Sequence, residues 1–142
     1  MASRTDLSDC AGCLCLASRR AARVITRAYD RRLRPFGIRA TQFTVLVMLI
    51  LRGPLTIGEL AEALGIERTT LSRNLALLEG EGWIVLRPGD DARERIAAVT
   101  PKGRKRVGEA LPAWKKAQRA ASAAIGGAGV TALRALAQHA TR

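Results

Sequence analysis

Between Thr56 and Arg104 the chain carries an order of local signals that few folds accommodate. Thr56-Ile57-Gly58-Glu59 is a capping box, in which a hydroxyl and a carboxylate satisfy the free amides of a helix start. The helix it opens turns Ile57, Leu60, Ala61 and Leu64 to one side. Gly65 stops it four residues after the small Ala61, a spacing that lets a second helix cross closely. That second helix, Glu67 to Glu79, repeats Leu71, Leu75 and Leu78 at i, i+4 and i+7. Its other face presents Arg68, Thr69, Thr70, Ser72, Arg73 and Asn74, side chains able to bond base edges and phosphates.

Gly80-Glu81-Gly82 ends this helix, and Trp83 to Arg87 follows as an apolar, β-branched run suited to a strand. Pro88-Gly89-Asp90-Asp91 makes a turn and Arg95 to Val99 returns, giving a hairpin with Arg93 near its tip. Thr100 then caps a helix whose first position is Pro101, where no amide bond is lost. Leucines at helical spacing mark most cores, and a capping box alone says only that a helix begins. The order is the specific part: capped helix, glycine turn, polar-faced helix, basic-tipped hairpin, capped helix. It predicts a winged helix-turn-helix that reads double-stranded DNA.

The expected fold is therefore mainly α with a small β-hairpin wing. One domain suits the 142 residues, with residues 39–103 as the reader lobe and residues 1–38 and 104–142 as flanking dimerisation helices. A formal charge of +12 favours a polyanionic partner. Its distribution is uneven. From Leu55 to Thr100 the cations Arg68, Arg73, Arg87, Arg93 and Arg95 are outnumbered by Glu59, Glu62, Glu67, Glu79, Glu81, Asp90, Asp91 and Glu94. The surplus lies at Arg19 to Arg39 and Lys102 to Arg119. Lys102, Arg104, Lys105 and Arg106 follow the hairpin and are placed to hold phosphates beside the wing. The arginines of the first helix are either a solvated face or ion-pair partners.

Three apolar stripes lie outside the reader. Leu14, Ala17, Ala21, Val24 and Ala28 recur at steps of three and four, a narrow seam suited to packing on another helix. Val107, Leu111, Trp114 and Ala121 form a second stripe. After the Gly126-Gly127-Ala128-Gly129 break, Leu133, Leu136, Ala137 and Ala140 form a third. They pack either within one chain or across a symmetric dimer, and a dimer sets two recognition helices on half-sites about one DNA turn apart.

Arg19-Arg20-Ala21-Ala22-Arg23, Tyr29-Asp30 and Leu33-x-Pro35-x-Gly37 precede Thr41-Gln42-Phe43, which opens an apolar helix. With the winged helix and the hairpin Gly89-Asp90-Asp91-Ala92-Arg93-Glu94-Arg95, this pattern resembles the multiple-antibiotic-resistance regulator (MarR) family over nearly the whole chain. The resemblance implies a homodimeric bacterial repressor that leaves a palindromic operator when a ligand binds or a cysteine is oxidised. It puts Thr69, Thr70, Ser72 and Arg73 in the major groove and Arg93 in the minor groove. It also makes Asp91 the partner of a wing arginine; a turn-forming acid is the other reading of Asp91.

Cys10, Cys13 and Cys15 are the only cysteines. No signal peptide is read, and the longest apolar run noted, Val45 to Leu51, is too short to span a membrane. A cytoplasmic, nucleoid-associated protein with reduced thiols and no membrane partner is expected. At about 100° per residue on a helix, Cys10 and Cys13 share a face and Cys15 points away from Cys13. Three readings stand: small apolar residues near an interface, a redox sensor, or an iron–sulfur or soft-metal site for which Cys-x-x-Cys-x-Cys is an incomplete ligand set. No cofactor is expected on the first two. Leu14-Cys15 followed by Tyr29 resembles the organic-hydroperoxide-sensing branch of the family. That likeness implies a Cys15 oxidised to sulfenic acid, with Tyr29 of the other protomer steadying the thiolate and Cys10 and Cys13 as resolving thiols. The branch has a second tyrosine where this chain has Ala40, and Phe43 lacks a hydroxyl.

A small aromatic or lipophilic acid is the alternative inducer, with Arg23 or Arg27 on its carboxylate and Phe36, Phe43 and Trp114 as walls. Two other classes of function have weaker support. A thiol oxidoreductase on Cys10 and Cys13 lacks the βαβ context such a motif needs, and His139 has no evident nucleophile partner. An architectural DNA binder would show little of the roughly 10³-fold operator preference expected of a specific reader.

Overall fold

The computed structural model describes residues 5–139. A short 3₁₀ turn, Ser8–Gly12, leads into α1 (Leu14–Leu33), and a second one, Arg34–Phe36, leads into α2 (Ala40–Arg52). The reader follows as β1 (Leu55–Thr56), α3 (Ile57–Leu64), α4 (Arg68–Gly80), β2 (Ile84–Pro88) and β3 (Arg95–Val99). α5 (Pro101–His139) completes the chain, kinked at Gly126, where φ is 80° and ψ 163°. Ala140, the last member of the third apolar stripe, lies outside the described residues.

The capping box forms as the sequence requires. Thr56 Oγ1 accepts from Glu59 N at 3.1 Å and Glu59 Oε2 accepts from Thr56 N at 2.9 Å. Gly65 ends α3 in the left-handed region, at φ 64° and ψ 35°, a conformation glycine enters at little cost. α3 and α4 then bury Leu60, Leu71, Leu75 and Leu78 completely, together with Leu33, Leu46 and Leu49 from the preceding helices. The core is continuous from Leu33 through Ala110.

The sheet has three antiparallel strands in the order β1-β3-β2. Ile84 pairs with Val99 and Pro88 with Arg95 in the hairpin, while Leu55 pairs with Ala97. The first strand of the hairpin is shifted one residue from the Trp83–Arg87 expected, and β1 carries no strand signal of its own. Two residues are too few to show an alternating pattern; β1 exists because β3 offers it a free edge.

Thr100 holds the start of α5 to the end of α4. Its amide donates to Trp83 O at 2.9 Å, its hydroxyl donates to Gly82 O at 2.7 Å, and that same hydroxyl oxygen accepts from Gly103 N at 3.1 Å. Gly103 is buried in this junction, and a Cβ there would sit 2.2 Å from Trp83 O.

The outer helices meet through aromatic contacts. Phe43 of α2 stacks on Trp114 of α5 with centroids 5.8 Å apart, Tyr29 of α1 tilts against the same indole at 6.3 Å, and the Tyr29 hydroxyl donates to Gln118 Oε1. The seam of α1 is left largely uncovered within the chain: Leu14 is 84% exposed and Val24 66%. Leu133 and Leu136 of the third stripe are exposed as well. α5 is also, among the described residues, the one helix long and apolar enough to cross a membrane, a stretch longer than Val45 to Leu51. Gly126 interrupts its helical backbone.

Gly103→Ala should lower unfolding stability by about 1–3 kcal/mol, the usual cost of overpacking. Gly108→Ala, on the same helix with open space where its Cβ would go, should be neutral or gain up to about 1 kcal/mol. Urea denaturation of the two variants checks both; equal midpoints would mean that the junction yields freely.

Candidate nucleic-acid interface

Three buried leucines set the rotation of α4, so the opposite face looks outward. Arg68, Thr69, Thr70, Ser72 and Arg73 are exposed and Asn74 is half-buried. Glu67 is the residue before the helix, in extended backbone at φ −71° and ψ 144°, and its side chain makes no capping bond.

The wing folds back towards the first turn of α4. Arg68 and Ser72 share a cleft of about 220 Å³ with Arg93, Glu94 and Arg95 of the wing and Thr56, Ile57 and Gly58 at the start of α3. Five of the residues singled out by sequence are thereby divided between the cleft (Arg68, Ser72, Arg93, Arg95) and the adjoining exposed turn (Arg73). Sequence pattern gives Gly58 no role beyond the capping box. A Cβ there would come within 2.4 Å of Arg68 Nη2, so its bareness lets the guanidinium lie across the start of α3.

Asp91 serves the turn. Its Oδ1 accepts from Arg93 N at 3.1 Å, its carbonyl accepts from Glu94 N at 2.9 Å, and Gly89 N donates to Glu94 O at 2.8 Å. The turn-forming reading of Asp91 is thus the one with a contact in this chain. Among the described residues the one ion pair within 4.0 Å is Arg106 to Glu109, at 3.8 Å. The arginines of the cleft keep their charge open to an incoming anion.

Arg106 departs from the phosphate-holding role expected of the basic run after the hairpin. It is half-buried, donates to Phe36 O at 2.8 Å and lies 5.6 Å above the Trp83 ring. It ties α5 to the bend before α2. Lys102, Arg104 and Lys105 remain exposed beside the wing. Trp83 Nε1 beneath Arg106 is buried without a hydrogen-bond acceptor.

The N-terminal thiols are exposed and free. They do not lie on one helix: Cys10 is in the 3₁₀ turn, Cys13 stands at the entry to α1 with φ −59° and ψ 114°, and Cys15 is in the first turn of α1. The facing relation expected from a continuous helix therefore lapses at Cys13, whose Sγ instead accepts from Leu16 N at 3.5 Å. Fourteen residues of helix, about 21 Å, separate Cys15 from Tyr29. No group of three His, Cys, Asp or Glu side chains suited to a metal occurs among the described residues.

The residues suggested for an aromatic-acid pocket are separated. Phe43 is 2% exposed and stacked on Trp114, whereas Arg23 and Arg27 line an open groove with Ala22 and Thr26.

A polar-faced helix beside an arginine-bearing wing on a helical lobe defines a winged helix-turn-helix DNA-binding regulator. The family model for the MarR family matches residues 36–94. The DNA-bound crystal structure of the M. tuberculosis transcriptional regulator MosR is 39% identical, with a TM-score of 0.81 over 90% of this chain and 93% of that one. Reduced AbfR bound to DNA is 27% identical, with a TM-score of 0.68 over 76% of this chain and 79% of its own. The regulator YwoH of Bacillus subtilis is 35% identical over 88 residues, 62% of this chain and 64% of its own length. The chain spans about half, 53%, of further curated relatives in Bacillus cereus. The chain belongs to the MarR family, a family of transcriptional regulators rather than enzymes.

Burial raises the Tyr29 phenol above its ordinary value, about 10. The folded chain then holds that proton more tightly than the unfolded one, so this contribution is intact below about pH 10 and is lost as pH rises through the folded value. Tyr29→Phe should cost about 1 kcal/mol at neutral pH, through the Gln118 bond, and should remove that alkaline component. Denaturation curves across the alkaline range check it; an unaltered pH profile in the variant would assign the loss to other groups.

Proposed function

We propose that the chain acts as a homodimeric repressor on a palindromic operator and leaves it when Cys15 is oxidised. The observation that carries the DNA half is the convergence of Arg68, Ser72, Arg93 and Arg95 on one cleft, with no carboxylate among the described residues paired to them. In this reading α4 lies in the major groove with Thr69, Thr70, Ser72 and Arg73 at base edges, Asn74 beside them, and Arg93 in the minor groove. The exposed seam of α1 and the apolar end of α5 supply the dimer contact. Two half-sites then follow from two-fold symmetry.

For the sensing half, support comes from the exposure of all three thiols and from the distance between Cys15 and Tyr29. One chain cannot bring those two together, so in this reading the tyrosine that meets Cys15 belongs to the other protomer. An organic hydroperoxide would pass one oxygen to the Cys15 thiolate, giving sulfenic acid and the alcohol. No cofactor is needed.

Arg73→Ala should cost about 1–3 kcal/mol on operator and relax base preference; equal weakening on operator and random DNA would remove Arg73 from base reading. Arg93→Ala should weaken binding and lower its salt dependence. Cys15→Ser should bind operator like the parent but stay bound under hydroperoxide, while Cys10→Ser should still be released. Gel-shift titrations with and without peroxide measure all four. Release of Cys15→Ser by peroxide would move sensing to another group, and an inert parent would leave a small-molecule inducer as the account.

A further inference from the structure

α1 has three faces. At about 100° per residue, Ile25, Thr26, Tyr29 and Leu33 form the face that packs inward, and the alanine-rich seam lies beside it. Arg19, Arg20, Arg23, Arg27 and Arg31 fall within the remaining arc of about 120°, and every one is exposed. We propose that this arginine arc is a second DNA-backbone surface, sequence-independent and separate from the winged helix.

The arrangement is costly to the helix itself. Arg19, Arg23, Arg27 and Arg31 are three successive i, i+4 pairs of like charge, each unfavourable by a few tenths of a kcal/mol. Asp30 is the sole acid of α1, and its Oδ1 is taken by Ala40 N at 2.7 Å. Among the described residues no carboxylate pairs with any of these arginines. The ion-pair reading of the first helix therefore falls away, and a polyanion outside the chain is the compensation the charges lack.

Geometry and chemistry favour a duplex. Arg19 to Arg31 spans about 18 Å, a length of duplex axis over which one strand carries about five phosphates, at about 3.4 Å of axial rise each. Guanidinium forks match phosphate oxygens two at a time. Arg23 and Arg27 flank an open groove of about 310 Å³ floored by Ala22 and Thr26, with room for a phosphate between them. A membrane-surface helix would set Trp, Phe or Leu beside its cations; the seam here is mostly alanine.

The inference takes DNA binding by the winged helix as given and adds a surface to it. The full-length chain and a triple variant, Arg19→Gln with Arg23→Gln and Arg27→Gln, would be titrated with a random-sequence duplex at several salt concentrations, with circular dichroism to check folding. The slope of log affinity against log salt should fall by about 2–3 in the triple variant, near 0.9 for each phosphate that is no longer neutralised. The charge-keeping Arg→Lys triple should retain the parent slope, and Arg73→Ala should retain the arc's share of it. A triple variant that matches the parent in affinity and slope overturns the proposal while leaving the winged helix intact. A parent that binds no duplex overturns both. Vesicles of phosphatidylserine and phosphatidylcholine bound by the parent and not by the triple variant, with duplex binding unchanged, would assign the arc to a lipid surface and overturn it as well.

Discussion

The junction of Thr100 and Gly103 with the Gly82–Trp83 backbone is the constraint on which the remainder of the molecule depends. Two hydrogen bonds from Thr100 fix α5 to the segment that follows α4, and a third, from Gly103 N to the same hydroxyl, caps the start of α5. Arg106, one turn on, carries the same helix to the bend at Phe36. The wing, α4, α5 and the bend before α2 consequently meet at one junction. A side chain as small as alanine at position 103 has no room there because backbone, not a flexible side chain, stands opposite.

Electrostatics in the reader are governed by where the acids go. From Leu55 to Thr100 carboxylates outnumber cations, yet the cleft is lined by three arginines and one glutamate. Glu59 binds the amide of Thr56, Glu79 accepts from Leu86 N at 3.3 Å, and Asp91 accepts from Arg93 N. Three acids are thus drawn to backbone donors, one at a helix start, one at the middle of the edge strand β2 and one at a turn. Folding and charge separation are accomplished by the same bonds, and the guanidinium groups are left for an outside partner.

Local chemistry makes most of the reader legible. Thr56, Glu59 and Gly65 act through neighbours a few residues away, and the leucine spacing of α4 fixes which side faces out, so the candidate contacts Arg68 to Asn74 can be named from pattern alone. Long-range pairings are not legible in this way. β1 owes its existence to β3, forty residues on, and the role of Gly58 depends on Arg68 folding over it. Arg106 is one more cation in a basic run until Phe36 O and the Trp83 ring come within reach. The cysteine geometry departs from expectation because the spacing argument needs a continuous helix, whereas the backbone breaks at Cys13.

The kink at Gly126 leaves the part of α5 before it as one continuous helix from the wing outward, with Pro112 inside it. Twenty-five residues of helix make a lever of about 37 Å. In the proposed dimer, a tilt of about 5° at the far end would carry the wing by about 3 Å, close to the 3.4 Å rise of one base pair. On the proposed mechanism, a disturbance near the N-terminal thiols too small to unfold anything would, once multiplied along that helix, put the two α4 helices of a dimer out of step with a two-fold operator.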